Sequence, residues 1–145
     1  MPLILPSRLL RLALVVDAAA TGALAVLQLA LPDALSRLLT LPRGLLLETG
    51  AFLVAYVLLL VVMARSQRLW SWLVRTVVIG NVIWAVGCVA LLAAGAVEPG
   101  ALGIAYVAMQ ALAVLVFAGA QYLGLRQSAP EVATRSFAQG TSAPR

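Results

Sequence analysis

Polar residues are so sparse along this chain that the gaps between them outline its elements. Four apolar stretches, Leu9–Leu31, Leu46–Ala64, Leu69–Val97 and Ala101–Leu125, carry Arg only near their starts, at Arg11 and Arg75. Each is close to or above the ~20 residues a helix needs to cross the hydrocarbon core of a bilayer. The pattern predicts an all-α membrane protein, a bundle of four transmembrane helices in one domain over residues 1–126. The first connection, Pro32–Leu45, is the longest. Leu35, Leu38, Leu39 and Leu41 are interspersed there with Asp33, Ser36 and Arg37. That spacing suits a short amphipathic helix lying in the outer membrane interface. Residues 127–145 turn to Ser, Ala, Pro, Thr and Gln, and a disordered cytoplasmic tail is expected.

The same pattern suggests an internal repeat. Glu48-Thr-Gly50-Ala51 running to Ala55-Tyr56-Val57 in the second span matches Glu98-Pro-Gly100-Ala101 running to Ala105-Tyr106-Val107 in the fourth. In the first span Arg11 lies six residues before Asp17, and in the third Arg75 lies six before Asn81. Two parallel helical hairpins, related by an axis along the membrane normal, are the expected architecture.

Composition strengthens the membrane reading: 63% of the chain is hydrophobic and only 10% is charged. All ten basic residues are Arg, and their placement predicts orientation. Arg8, Arg11, Arg65, Arg68, Arg75, Arg126, Arg135 and Arg145 fall on one side of the four spans, and Arg37 and Arg43 on the other. Positive charge collects on the cytoplasmic side. Both termini are therefore expected in the cytoplasm of a cell whose inner (plasma) membrane holds the protein. Trp70 and Trp72 stand where an inner aromatic belt belongs. The first span is read as retained, not as a cleaved signal, because it is long and contains Asp17.

The chain has no His and a single Cys. His-ligated haem, His-rich metal sites and Cys-x-x-Cys redox centres are thereby excluded. Cys88, among apolar neighbours, reads as a small buried hydrophobe. No phosphate-binding loop or nucleophile elbow is present. Neither metal nor cofactor is implied, and the basic charge at the helix ends needs no nucleic acid to explain it.

Asp17 is the residue that asks for an explanation, since an acid near the centre of a spanning helix costs roughly 2.5–3.5 kcal/mol on insertion scales. Thr21 and Gln28 share its face at helical spacing. At matching depth the other spans offer Tyr56, Asn81, Tyr106 and Gln110, with Trp84 and Cys88 on the Asn81 side and Gln121 further along the fourth span. Asp17, Asn81, Tyr56, Tyr106 and Gln110 are thus a candidate ligand- or proton-binding chamber. The same residues also serve as interhelical glue, and an Asp17–Arg75 ion pair is a second way to compensate the acid. Glu48 and Glu98, at the outer starts of two spans, suit helix N-termini or a paired acidic outer mouth. Gly80, Gly87 and Gly95 are expected to admit a neighbouring helix.

Leu9-x-Arg11 leading to Asp17, Thr21-Gly22, Gly50 through Tyr56, Asn81-x-x-Trp84, and Gln110 with Gln121 before Gly124-Leu125-Arg126 resemble bacterial four-span integral membrane proteins without an assigned activity. The chain is also similar to the small multidrug-resistance transporters, tiny four-span proteins with an essential acid in the first helix. That acid is a Glu there and Asp17 here. The longer first hairpin, the parallel repeat and the one-sided Arg distribution depart from their antiparallel dimers, so drug export is not carried over.

The expectation from sequence is a membrane protein without catalysis. It would be an accessory or assembly subunit or a lipid-embedded binding protein, partnered by the bilayer and by another membrane protein or a second copy. The alternative is a small proton-coupled transporter using Asp17. An enzyme acting on a lipid or quinone comes third, and would need a pocket open sideways near Tyr56 or Tyr106, with Glu48 or Glu98 within reach.

Overall fold

The structure, a computed structural model, describes residues 3–95 and 97–130. Strand β1 (Leu3–Leu5) leads into α1 (Arg8–Ala30), followed by the short α2 (Pro32–Leu39) and by α3 (Arg43–Arg65). Strand β2 (Leu69–Trp70), α4 (Ser71–Ala93), α5 (Ala101–Arg126) and β3 (Ala129–Pro130) complete the order. The four long helices are each apolar and long enough to cross a membrane, as expected for a multi-pass membrane protein.

Lipid is as apolar as leucine, so small and polar residues mark the inner faces instead. On α1 the buried row is Leu10, Leu14, Asp17, Thr21, Ala25 and Gln28. On α4 it is Ser71, Val74, Val77, Asn81 and Ala85. On α5 it is Gly103, Val107, Ala111, Ala118, Gln121 and Gly124. Meanwhile Leu12, Leu58, Ile83 and Leu112 point outward, the arrangement a bilayer accommodates.

Helix α1 packs closely against both α3 and α5, and α5 packs against α4. The ring is open between α3 and α4, which meet through long side chains. The α1–α5 seam is tight because Gly124 lets the Leu10 backbone in: a Cβ there would stand 2.6 Å from the Leu10 nitrogen. The same corner is locked by Ser7, which caps α1 by accepting from the Leu10 amide at 3.1 Å and donates to the Gly124 carbonyl at 2.8 Å. At the other end, Gly103 meets the Leu39 carbonyl of α2. Leu35, Leu39, Leu41, Leu46 and Val107 form a local core there.

Three features depart from the sequence expectations. Leu69–Trp70 belongs to a strand and not to the third span. It pairs antiparallel with β1, whose other edge pairs with β3, in the order β2-β1-β3. Both described ends of the chain and the α3–α4 junction therefore lie together at one end of the bundle. Helix α4 also stops early, at Ala93. Gly95 takes a φ of 62°, the left-handed conformation that ends helices, so it lies outside the helical glycine row proposed for it. Finally, Gln127–Pro130 are structured. Ser128 accepts from the Ser7 amide at 3.1 Å and β3 follows it. The rest of the expected tail, residues 131–145, lies outside the described residues.

Candidate functional site

All four long helices send a polar side chain to one point. Asp17 of α1 is fully buried, and both its oxygens accept hydrogen bonds. Thr21 donates to Oδ1 at 3.0 Å. Gln121 of α5 donates to Oδ2 at 2.7 Å, Asn81 of α4 at 3.3 Å, and Tyr56 of α3 lies at 3.5 Å. Tyr56 donates more closely to Asn81 Oδ1, at 2.9 Å, and Asn81 Nδ2 also reaches Gln121 Oε1 at 3.3 Å. No buried side-chain polar atom among the described residues lacks a partner. Such closure matters more here than in a soluble core, because the bilayer supplies no water to an orphaned group.

Of the candidates named from sequence, this node gathers Asp17, Asn81 and Tyr56. Tyr106 sits at a second node toward the α2 end. There Gln28 donates to the Tyr106 hydroxyl at 2.7 Å, and Thr49 lies 3.1 Å from Gln28 Oε1. Gln110 is half-buried, and its side chain bonds to no other described residue. Gln121 takes the place expected for Gln110. Eleven residues apart, the two share a face of α5 to within ~20°, and depth separates them: Gln110 lies ~16.5 Å further toward the α2 end. The signal was present in the count from the Arg-marked ends, since Gln121 lies near Arg126 and Asp17 is in the half of α1 that begins at Arg8.

The candidate Asp17–Arg75 ion pair is not formed. Arg75 is one position off the buried row of α4 and points outward, and neutral donors surround the acid instead. Among the described residues, the salt bridge runs between Arg43 and Asp33, at 2.8 Å, in the α2–α3 connection. Glu48 and Glu98 are both exposed. Helix α3 begins at Arg43, so Glu48 lies in its second turn, and Glu98 precedes α5 altogether. Neither acid stands at a helix start as proposed.

The gap between α3 and α4 is a cleft of about 600 Å³, within the ~300–1,000 Å³ typical of small-molecule sites. Its walls run from Leu45 to Leu59 on α3 and from Thr76 to Leu91 on α4, or about 21 Å along the helix axes at 1.5 Å per residue. Gly80 and Gly87 line α4, and a Cβ at either would meet nothing within 4 Å. Phe52 and Trp84 stack across the gap with centroids 5.6 Å apart, and Phe52 also stacks on Tyr56 at 6.5 Å. The floor is polar: Thr21, Tyr56 and Asn81 all line the cleft. The cleft faces outward from the bundle, where exposed Phe52 and Ile83 flank it. Cys88 lines it as well and is a free thiol.

These features define a multi-pass helical membrane protein with a sealed polar node at its centre and an apolar cleft leading to that node from the side. No known protein family, characterised protein or solved structure matches the chain.

Proposed function

We propose that the protein is a membrane-embedded binding protein that holds an apolar, lipid-type molecule in the cleft between α3 and α4. The observation that carries this is the cleft itself, greasy along its walls and polar at its floor. Lipid-soluble ligands need that combination, with apolar area for affinity and a few placed polar groups for orientation. A transmembrane helix is the less suitable occupant, because the Phe52–Trp84 stack bridges the gap with centroids 5.6 Å apart and stands in the way of a helix ~10 Å across. A proton-coupled carrier built on Asp17 is less well supported, because that carboxyl is closed off by internal donors on both oxygens.

In this reading both termini face the cytoplasm of the plasma membrane. Arg8, Arg11, Arg65, Arg68, Arg75 and Arg126 collect at the sheet end of the bundle, against Arg37 and Arg43 at the other, and positive charge favours the cytoplasmic side. Helix α2 then lies in the outer interface. The two hairpins are copies of one parallel repeat, and the cleft stands where the second copy of the α1–α5 seam would be.

The test uses Cys88 as a native reporter. A membrane-permeant maleimide should label Cys88 slowly in native membranes and faster after delipidation. Gly80→Leu, which fills open space at the cleft wall, should slow labelling in both states and remove a co-purifying apolar molecule seen by mass spectrometry. Equal labelling throughout, with no such molecule, overturns the proposal. Protection that survives delipidation but is lost with a co-purifying membrane protein would identify a partner helix as the occupant instead.

A further inference from the structure

The polar floor of the cleft is one-sided in its hydrogen-bonding capacity. Thr21 spends its single proton on Asp17 Oδ1 at 3.0 Å. Tyr56 spends its own on Asn81 Oδ1 at 2.9 Å, with Asp17 as the alternative. Both Asn81 Nδ2 protons have acceptors, Asp17 Oδ2 and Gln121 Oε1, each at 3.3 Å. Nearer the α2 end of the cleft, Thr49 donates to the Leu45 carbonyl at 2.7 Å. A hydroxyl has one proton and two lone pairs. Once those protons point into the protein, the floor has only lone pairs to present.

From this, and resting on the binding reading above, we infer that the cleft selects a lipid-type ligand whose head carries a hydroxyl donor. Long-chain or isoprenoid alcohols, hydroquinones and diglycerides belong to this class. Ethers, ketones and fully esterified heads do not. A hydroxyl head donates to the Tyr56 or Thr21 oxygen and leaves every internal bond in place. A carbonyl or ether head must draw the Tyr56 proton away from Asn81 Oδ1, which then faces a dry site without a donor. The indole N–H of Trp84 and the thiol of Cys88 lie one and two turns along α4 from Asn81. At 1.5 Å per residue they stand ~4.5 and ~10.5 Å along the axis from Asn81, so they are donors of the wall and not of a floor where a head group meets the Tyr56 and Thr21 oxygens.

A matched pair of probes tests this in full-length protein held in phosphatidylcholine nanodiscs. The probes are 9,10-dibromo-octadecanol and its methyl ether, whose bromines quench tryptophan. Trp70→Phe with Trp72→Phe leaves Trp84, a cleft residue, as the reporter. The alcohol should quench saturably at roughly three- to twenty-fold lower concentration than the ether. That range follows from interhelical hydrogen bonds of ~0.6–1.7 kcal/mol in membranes at 1.4 kcal/mol per decade. Gly80→Leu in the same background should abolish the saturable part for both probes. Equal half-points, or a tighter ether, overturn the donor preference while leaving the binding site standing. Quenching that never saturates for either probe, or that Gly80→Leu does not change, overturns the binding reading itself.

Discussion

Replacing Asp17 separates the geometry of the central node from its charge. Oδ2 takes two donors, Gln121 at 2.7 Å and Asn81 at 3.3 Å, with the Tyr56 hydroxyl, which donates to Asn81, 3.5 Å away, whereas Oδ1 takes only the Thr21 hydroxyl. In Asp17→Asn the amide oxygen can occupy the crowded position and the amide nitrogen the other. Thr21 then accepts and turns its proton to a backbone carbonyl of the preceding turn. Every original partner stays satisfied, but the second amide N–H of the new Asn gains no acceptor, because Thr21 is the one partner at the Oδ1 position. That leftover donor costs ~1–3 kcal/mol, and relief from burying a charge offsets it together with the lost charge assistance, so the net change should stay within about 1 kcal/mol. Asp17→Ala behaves differently. Tyr56 keeps Asn81 and Thr21 turns to its backbone, but Gln121 Nε2 and one Asn81 N–H lose their acceptor. Two orphaned donors at ~1–3 kcal/mol each give a loss of about 2–6 kcal/mol. Equilibrium unfolding in mixed detergent micelles, followed by helical circular dichroism, measures both. Asn as damaging as Ala would refute the reasoning, because it would mean that the node requires the charge and not the acceptors. An Ala variant as stable as wild type would refute it from the other side.

The remaining predictions concern the frame around the site. Gly124→Ala drives a Cβ into the Leu10 backbone at 2.6–2.7 Å, so α1 and α5 must separate, at a cost of roughly 1–3 kcal/mol for overpacking. Gly119→Ala, on the same helix but with open space around it, should be neutral or stabilising by up to ~1 kcal/mol; thermal unfolding in detergent ranks the two, and the reverse order would refute the tight α1–α5 seam. Asp33→Asn breaks an ion pair whose side chains are 55% and 65% exposed. It should cost under ~1 kcal/mol and lose even that in high salt, which a melt at two ionic strengths would reveal.

The four spans were legible in the sequence because the bilayer requires about twenty apolar residues in a row, and that length survives without any knowledge of neighbours. The polar face of α1 was legible too. Asp17, Thr21 and Gln28 are too costly to expose to lipid, so helical spacing alone placed all three inside, where the structure has them. Which residues meet them was not written locally. In α4 and α5 both faces are apolar, since lipid and bundle interior are equally greasy, and hydrophobic periodicity carries almost no rotational information. Gln121 meets Asp17 where Gln110 was expected because it matches the depth of the acid, and that match follows from where Gly124 seats α5 against Leu10 of α1. The three-stranded clamp of Leu3–Leu5, Leu69–Trp70 and Ala129–Pro130 joins segments far apart in the chain, with two or three residues each and no periodicity to read. The cleft is the most fully tertiary feature of all. It exists because α1 packs tightly on both α3 and α5 while α3 and α4 do not close on each other, and only the assembled ring decides which of its seams stays open.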